Sequence, residues 1–390
     1  MGFSITFYIS IAVLGLILLP NASSRPSDGT PFFDRVMCKE FQGFLAVFVV
    51  FHQTVITLDH FGVASNRMSP FFDYYYYGIL AVAFFFFCSG FGLVKRWTTD
   101  PSYFKGFMKR RIFTVLVPFF ICNYIYLTDA ILMNIKNGQS FDFVEVICSF
   151  FGVFLINNQM WFAVEIMILY AMFRLVFSRV RKPLTGIIIM TGIVLLMMGI
   201  GLLAGHSESI VMSYWFRGEW WYNTILMFPL GMLYAYQEER INKIIRGAFT
   251  SLLIASSILF VILDFVHRGL IKKSIYWTEY ENAKHPFLDK LTGLGVETVF
   301  EIIFLLLILV LFSRFKFNNP VLKFLGKISL EAIMLNYLMC LKLYFIYERF
   351  GIYAYLPSVF AGTLVAASFV YLIKNIVLER RSGLFDGDVK

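Results

Sequence analysis

The chain has 390 residues, of which 59% are hydrophobic and only 15% charged, with a formal net charge of +9. A soluble domain carries about a quarter charged residues, so this composition excludes a water-soluble enzyme and describes a chain that folds in lipid. The basic excess requires no nucleic-acid partner, because it falls in short loops where anionic lipid headgroups lie.

Apolar stretches long enough to span a bilayer fall at 3–20, 41–58, 75–94, 112–133, 160–178, 184–204, 220–236, 248–267, 293–313, 328–346 and 352–373. The first lacks a basic segment before its apolar run and is expected to be a retained extra helix rather than a signal peptide. Loops 95–111 and 179–183, with six and three Lys and Arg, are expected to face the cytoplasm. The chain must cross an even number of times between them, and 112–133 with 160–178 supply two crossings. The shorter apolar stretch 142–156 is therefore expected to be a re-entrant or interfacial helix on the outer side. Summed over the chain, the expected cytoplasmic segments hold 23 Lys and Arg and the outer ones 9.

The expected fold is an all-α polytopic membrane protein with about ten core transmembrane helices and one extra N-terminal helix. Residues 1–35 are expected to form that extra helix and a cytoplasmic linker, 36–376 the membrane domain, and 377–390 a cytoplasmic tail. No inverted repeat is visible. Cys38, Cys88, Cys122, Cys148 and Cys340 are scattered without metal-ligand spacing and read as buried thiols. No metal site is expected.

Several polar residues lie at membrane depth. His52 stands in the apolar run FQGFLAVFVVFHQTVITL, in its outer half. An ionisable side chain there is expensive and marks a functional site unless it makes a packing hydrogen bond. Neutral imidazole suits general-base work. Glu165 follows Trp161 by one helical turn in NNQMWFAVEIMILY and can hold the imidazole of His52 as second-sphere carboxylates do; pairing with Arg174 is the structural alternative. Arg110 and Arg111 read as topology signals or as a phosphate clamp. Ser89, Gly90 and Gly92 allow close approach of a backbone or a ligand. Glu297 and Glu301 share a helical face, and His60, His206, His267 and His285 read as surface histidines.

Six segments in series resemble the integral-membrane acyltransferase type 3 family: QGFLAVFVVFH (42–52), FFFFCSGFGL (84–93), YFKGFMKRRIFTVLVPFF (103–120), MWFAVEIMILY (160–170), FPLGM (228–232) and GKISLEAIMLNY (326–337). The resemblance implies transfer of an acyl group, most often acetyl, from cytoplasmic acyl-CoA to a hydroxyl of a cell-surface or lipid-linked glycan. It implies no tightly bound cofactor, since acetyl-CoA is a co-substrate. It makes His52 the catalytic residue, with Glu165 as its acid partner. Arg110, Arg111 and Lys109 become binders of the CoA phosphates, and Ser89, Gly90 and Phe91 line the path of the pantetheine arm. Trp161, Asn336 and Glu301 are expected on the acceptor side. Residues that depart from the family pattern are Phe41, where a basic residue precedes the histidine by eleven positions, Thr114 in place of a second Arg, and Asn336 in place of a late histidine. The expected setting is a bacterial plasma membrane, with the bilayer as partner and a homodimer as a candidate assembly. Two other readings stand beside this one: a proton-coupled transporter or flippase, which broken helices would favour, and a family member without catalysis.

Overall fold

The computed structural model describes residues 31–140, 142–205, 213–273, 275–276 and 284–385, together with residues 12, 13, 15, 16, 23 and 24. The extra helix expected over 3–20 lies almost wholly outside the described residues.

Asp34 starts the first long helix. Its Oδ1 accepts from the amides of Val36 and Met37, each at 2.8 Å, which satisfies two of the free donors at a helix start. Helix α1 then runs over Arg35–His60, α2 over Gly78–Thr99 and α3 over Phe107–Asn137. A short helix α4 follows at Phe143–Phe150, then α5 (Trp161–Phe177), α6 (Pro183–Ala204) and the short α7 at Met227–Tyr236. The remainder are α8 (Glu238–Gly247), α9 (Phe249–Ile271), α10 (Pro286–Phe312), α11 (Pro320–Lys342), α12 (Tyr344–Phe350) and α13 (Ile352–Phe385). Among the described residues nine helices are long and apolar enough to cross a membrane. The protein is an all-α, multi-pass integral membrane protein.

The remaining expected core span, 220–236, is a half-helix. Pro229 has no N–H, and its ring crowds the carbonyl four residues earlier, so a helix can begin only just before it. The chain reaches Met227 through a turn at Glu219–Trp221 and irregular backbone around Asn223 and Thr224. Irregular backbone at membrane depth is tolerated where it lines a cavity, and both residues do so. The stretch 142–156 also follows expectation, since α4 has eight residues, about 12 Å of rise, too short to cross.

Glycines set the two tightest helix crossings. Where α1 meets α11, a β-carbon on Gly43 would stand 2.1 Å from the Leu322 carbonyl oxygen, and one on Gly326 would stand 2.0 Å from that of Lys39. Where α2 meets α7, a β-carbon on Gly90 or Gly231 would stand 2.0 Å from the carbonyl oxygen of Phe228 or Phe87. Backbones approach this closely in lipid only at small residues. Phe33 seals the same end of the bundle, edge-on to Phe84, Phe87, Phe91 and Tyr234 at 4.9–6.1 Å between ring centres. Outward faces of α6, α9 and α13 expose Leu196, Leu203, Phe265, Val365 and Phe369, as lipid contact requires.

Candidate active site

Two cavities occupy opposite ends of α1 and α2. At the end that carries the basic loops lies a cleft of about 1150 Å³. Arg35, Lys39, Lys95, Arg96, Lys105 and the pair Arg110–Arg111 line it, against the carboxylates Asp34, Asp100 and Glu238. Glu238 pairs with Lys95, and Asp100 lies 3.5 Å from Arg96, so a net positive field remains. The exposed Asp100 carboxyl is held below the usual range, chiefly by the Ser102 hydroxyl and amide.

The sequence folds this cleft around a distortion in α3. Residues Ile112–Leu116 form a wide π turn directly after Arg111. Pro118 explains it, because it cannot donate to the carbonyl of Thr114 and the ladder must slip. Arg110 donates to the carbonyls of Lys105 and Tyr103 at 2.7 and 2.8 Å. The loop it holds turns at Gly106, with φ of +65°. Arg111 lies over the Tyr170 ring at 4.5 Å and donates to the Tyr103 hydroxyl at 3.2 Å. Each guanidinium has five N–H groups, so donors are left for an anion. Ser89, Phe91 and Gly92 also line the cleft, and the Tyr170 hydroxyl lies 3.5 Å from that of Ser89.

At the other end is a cavity of about 290 Å³ that holds His52. Aromatic side chains form its walls, among them Tyr75, Trp161, Phe162, Trp220 and Tyr337. His52 Nδ1 lies 3.1 Å from the Tyr74 carbonyl oxygen, which a turn over Phe71–Tyr76 leaves available. That contact puts a proton on Nδ1 and leaves the Nε2 lone pair free to act as a base. The imidazole rests against Gly78, where a β-carbon would stand 2.2 Å from Cδ2 and 2.3 Å from Nε2. Arg268 holds the same turn, with Nη1 at 2.6 Å from Asp73, Nε at 3.1 Å from Asp264, and Nη2 donating to the Tyr77 hydroxyl.

The cavities come nearest along α2. Phe85 lines the His52 cavity, while Cys88, three residues and about 4.5 Å of helical rise further on, lines the basic cleft.

Not every expected site residue lies in these cavities. Glu165 is fully buried on α5, between Phe162 of the cavity and Tyr170 of the cleft, and neither carboxylate oxygen has a hydrogen-bond partner among the described residues. It does not orient His52, because the Tyr74 carbonyl holds that position; nor does it pair with Arg174, which donates to the Phe104 carbonyl at 2.9 Å. Asn336 is a packing residue. Its amide donates to the Val50 carbonyl at 3.2 Å and accepts from Thr363 at 3.0 Å, joining α1, α11 and α13. Glu301 is buried beside Glu297 and lines neither cavity. Gly90 serves the α2–α7 crossing rather than the cleft, and Lys109 is exposed outside it, with Lys105 taking its place.

His267 corrects the surface reading. It is 1% exposed, lines the His52 cavity, and places Nε2 3.0 Å from Glu297 Oε1. Spans 248–267 and 293–313 are consecutive and antiparallel, so their facing ends bring residue 267 and residue 297 to similar depth. That pairing was available from the sequence.

The protein is thus a polytopic helical bundle with a basic cleft at one end and a histidine cavity at the other. The family model described as an acyltransferase domain matches residues 41–374, and the chain belongs to that type 3 acyltransferase family. The protein is a membrane acyltransferase. No curated protein and no solved structure matches this chain.

Proposed function

We propose that the protein is an O-acetyltransferase that moves an acetyl group from cytoplasmic acetyl-CoA to a hydroxyl of a cell-surface or lipid-linked glycan. One observation carries the reading: a basic cleft sized for a polyphosphate cofactor and an aromatic histidine cavity lie on one bundle, one helical turn apart along α2. Acetyl-CoA docks with its phosphates against Arg110, Arg111, Lys105 and Arg35, since guanidinium forks match phosphate oxygens. Its pantetheine arm passes Ser89 and Phe91 toward the septum at Phe85. The acceptor sugar stacks on Trp161 and Trp220, and its hydroxyl gives its proton to His52 Nε2. The hydroxyl oxygen attacks the thioester carbonyl, the carbon–sulfur bond breaks, and the proton is returned to the departing thiolate of CoA. Glu165, lying between the two cavities, is suited to receive a hydrogen bond from the arm in transit or, protonated, to donate one. The assembly works in the bilayer of a bacterial envelope, as a monomer or a homodimer.

The direct test incubates purified protein in detergent with radiolabelled acetyl-CoA and crude membrane glycolipid. Wild type should release CoA and label the glycan, and His52→Ala should label it at least a hundredfold less, the lower range for a lost general base. Undiminished labelling by His52→Ala sinks the scheme. The half-helix α7 at Met227–Tyr236 is the feature that favours a transporter. In the same preparation that reading requires substrate movement without acetyl-CoA.

A further inference from the structure

The His52 cavity has a second wall that the acetyl-transfer scheme leaves unused. Glu297 of α10 is 2% exposed and takes three donors: His267 Nε2 at 3.0 Å, Asn223 Nδ2 at 3.2 Å, and the Tyr276 hydroxyl. One carboxylate thus fixes side chains from α9, from the chain before α7 and from the loop before α10. It also decides what those side chains have left to offer. With Nε2 donating to Glu297, neutral His267 keeps its lone pair on Nδ1; with its amide nitrogen on Glu297, Asn223 keeps a free carbonyl oxygen.

Neither atom has a hydrogen-bond partner among the described residues, although both side chains are buried and both line the cavity. Gln53 Oε1, Gln159 Oε1 and Thr224 Oγ1, from the same lining, are buried without partners as well. Buried acceptors left unpaired are costly, and this wall is short of donors. A ligand that brings hydroxyl groups completes it. Among the described residues no Lys or Arg lines the cavity, and the Glu297 carboxylate stands in its wall. Its volume of about 290 Å³ lies at the small end of ligand pockets.

We propose that this wall is the subsite for one neutral, hydroxyl-rich sugar ring of the acceptor, with His267 and Asn223 receiving its hydroxyls, and that it excludes rings bearing a carboxylate or phosphate. The proposal rests on the glycan acetyltransferase reading and names the acceptor class.

Trp161 and Trp220 line the cavity, so sugar binding is read from tryptophan fluorescence of the full chain in detergent. The probes are methyl glucoside, galactoside and mannoside with their matching uronides. At least one neutral glycoside should bind, and its uronide at least tenfold more weakly. His267→Gln should raise the Kd of that glycoside about tenfold, and Glu297→Gln should close most of the gap between the glycoside and its uronide. Binding of labelled acetyl-CoA to the basic cleft checks that each variant is folded; Tyr276→Phe, which keeps the cavity's shape, replaces any variant that fails this check and should weaken the glycoside. The proposal is overturned if no neutral glycoside binds, if the uronide binds equally well, or if a folded variant binds as wild type does. Failure of the acetyltransferase reading appears separately, as absent label transfer while sugar binding persists, and that result would still support the subsite.

Discussion

Gly78 decides whether His52 can be where it is. No side chain larger than hydrogen fits at 2.2 Å from the imidazole, so Gly78→Ala must push the ring off the Tyr74 carbonyl. Its expected loss of acetyl transfer is about a hundredfold or more, comparable with that of His52→Ala, at a stability cost of about 1–3 kcal/mol. Gly192→Ala is the control, since a β-carbon there meets nothing within 4 Å and Gly192 lines neither cavity. Label transfer and thermal unfolding, measured side by side, separate the two glycines. Arg111 gives a second expectation. Its stacking on Tyr170 and its place in the cleft predict that Arg111→Gln weakens acetyl-CoA binding about tenfold. Added salt should weaken wild type more than the variant. Equal salt dependence would contradict the phosphate role.

Single residues were legible where their cost was visible in one dimension. His52 stood out because an imidazole in an apolar run demands a reason; Arg110–Arg111 read first as a topology signal, and only the family resemblance favoured a phosphate site. Glu165 was also conspicuous, but the partner assigned to it was not, because a sequence does not reveal that a turn 22 residues after His52 brings a carbonyl to the same nitrogen. Asn336 occupied a motif position yet serves packing, and only its contacts to Val50 and Thr363 tell the two roles apart.

At the scale of elements, small residues carried the same ambiguity. Ser89-Gly90-Phe91 suggests close approach, and close approach occurs, but Gly90 meets the backbone of α7 while its neighbours face the cleft. Gly231→Ala or Gly90→Ala should therefore separate α2 from α7 and lower the unfolding temperature. Gly231→Ala should do so without first affecting CoA affinity in folded protein, because Gly231 lines neither cavity. A normal unfolding temperature for both variants would argue against the crossing. The half-helix α7 was hidden for a related reason. Hydropathy over 220–236 fits a full span, whereas Pro229 and the buried polar pair Asn223–Thr224 set its true start. The turn over Phe71–Tyr76 works as a unit with α9 through Arg268. Arg268→Lys keeps a charge but loses the planar fork that reaches Asp73, Asp264 and Tyr77 together. It should slow acetyl transfer while leaving acetyl-CoA binding intact, a split that equilibrium binding and label transfer together would reveal.

Across the whole molecule, charge parity excluded 142–156 as a crossing, and the eight residues of α4 agree. The basic loops expected to face the cytoplasm also furnish the cleft. Hydropathy located the helices well enough to establish the class, and the family extends over residues 41–374. The second histidine escaped because its carboxylate partner lies on the next helix, across a loop that hydropathy treats as a gap. The central claim is that donor and acceptor are met at opposite ends of one bundle and that His52 joins them. It is tested most directly in sealed vesicles holding the protein and a membrane glycolipid fraction, with labelled acetyl-CoA added outside. His52-dependent acetyl label should appear on glycan that an impermeant esterase cannot remove until detergent opens the vesicle. Label confined to the outer face, or equal label from His52→Ala, would contradict it.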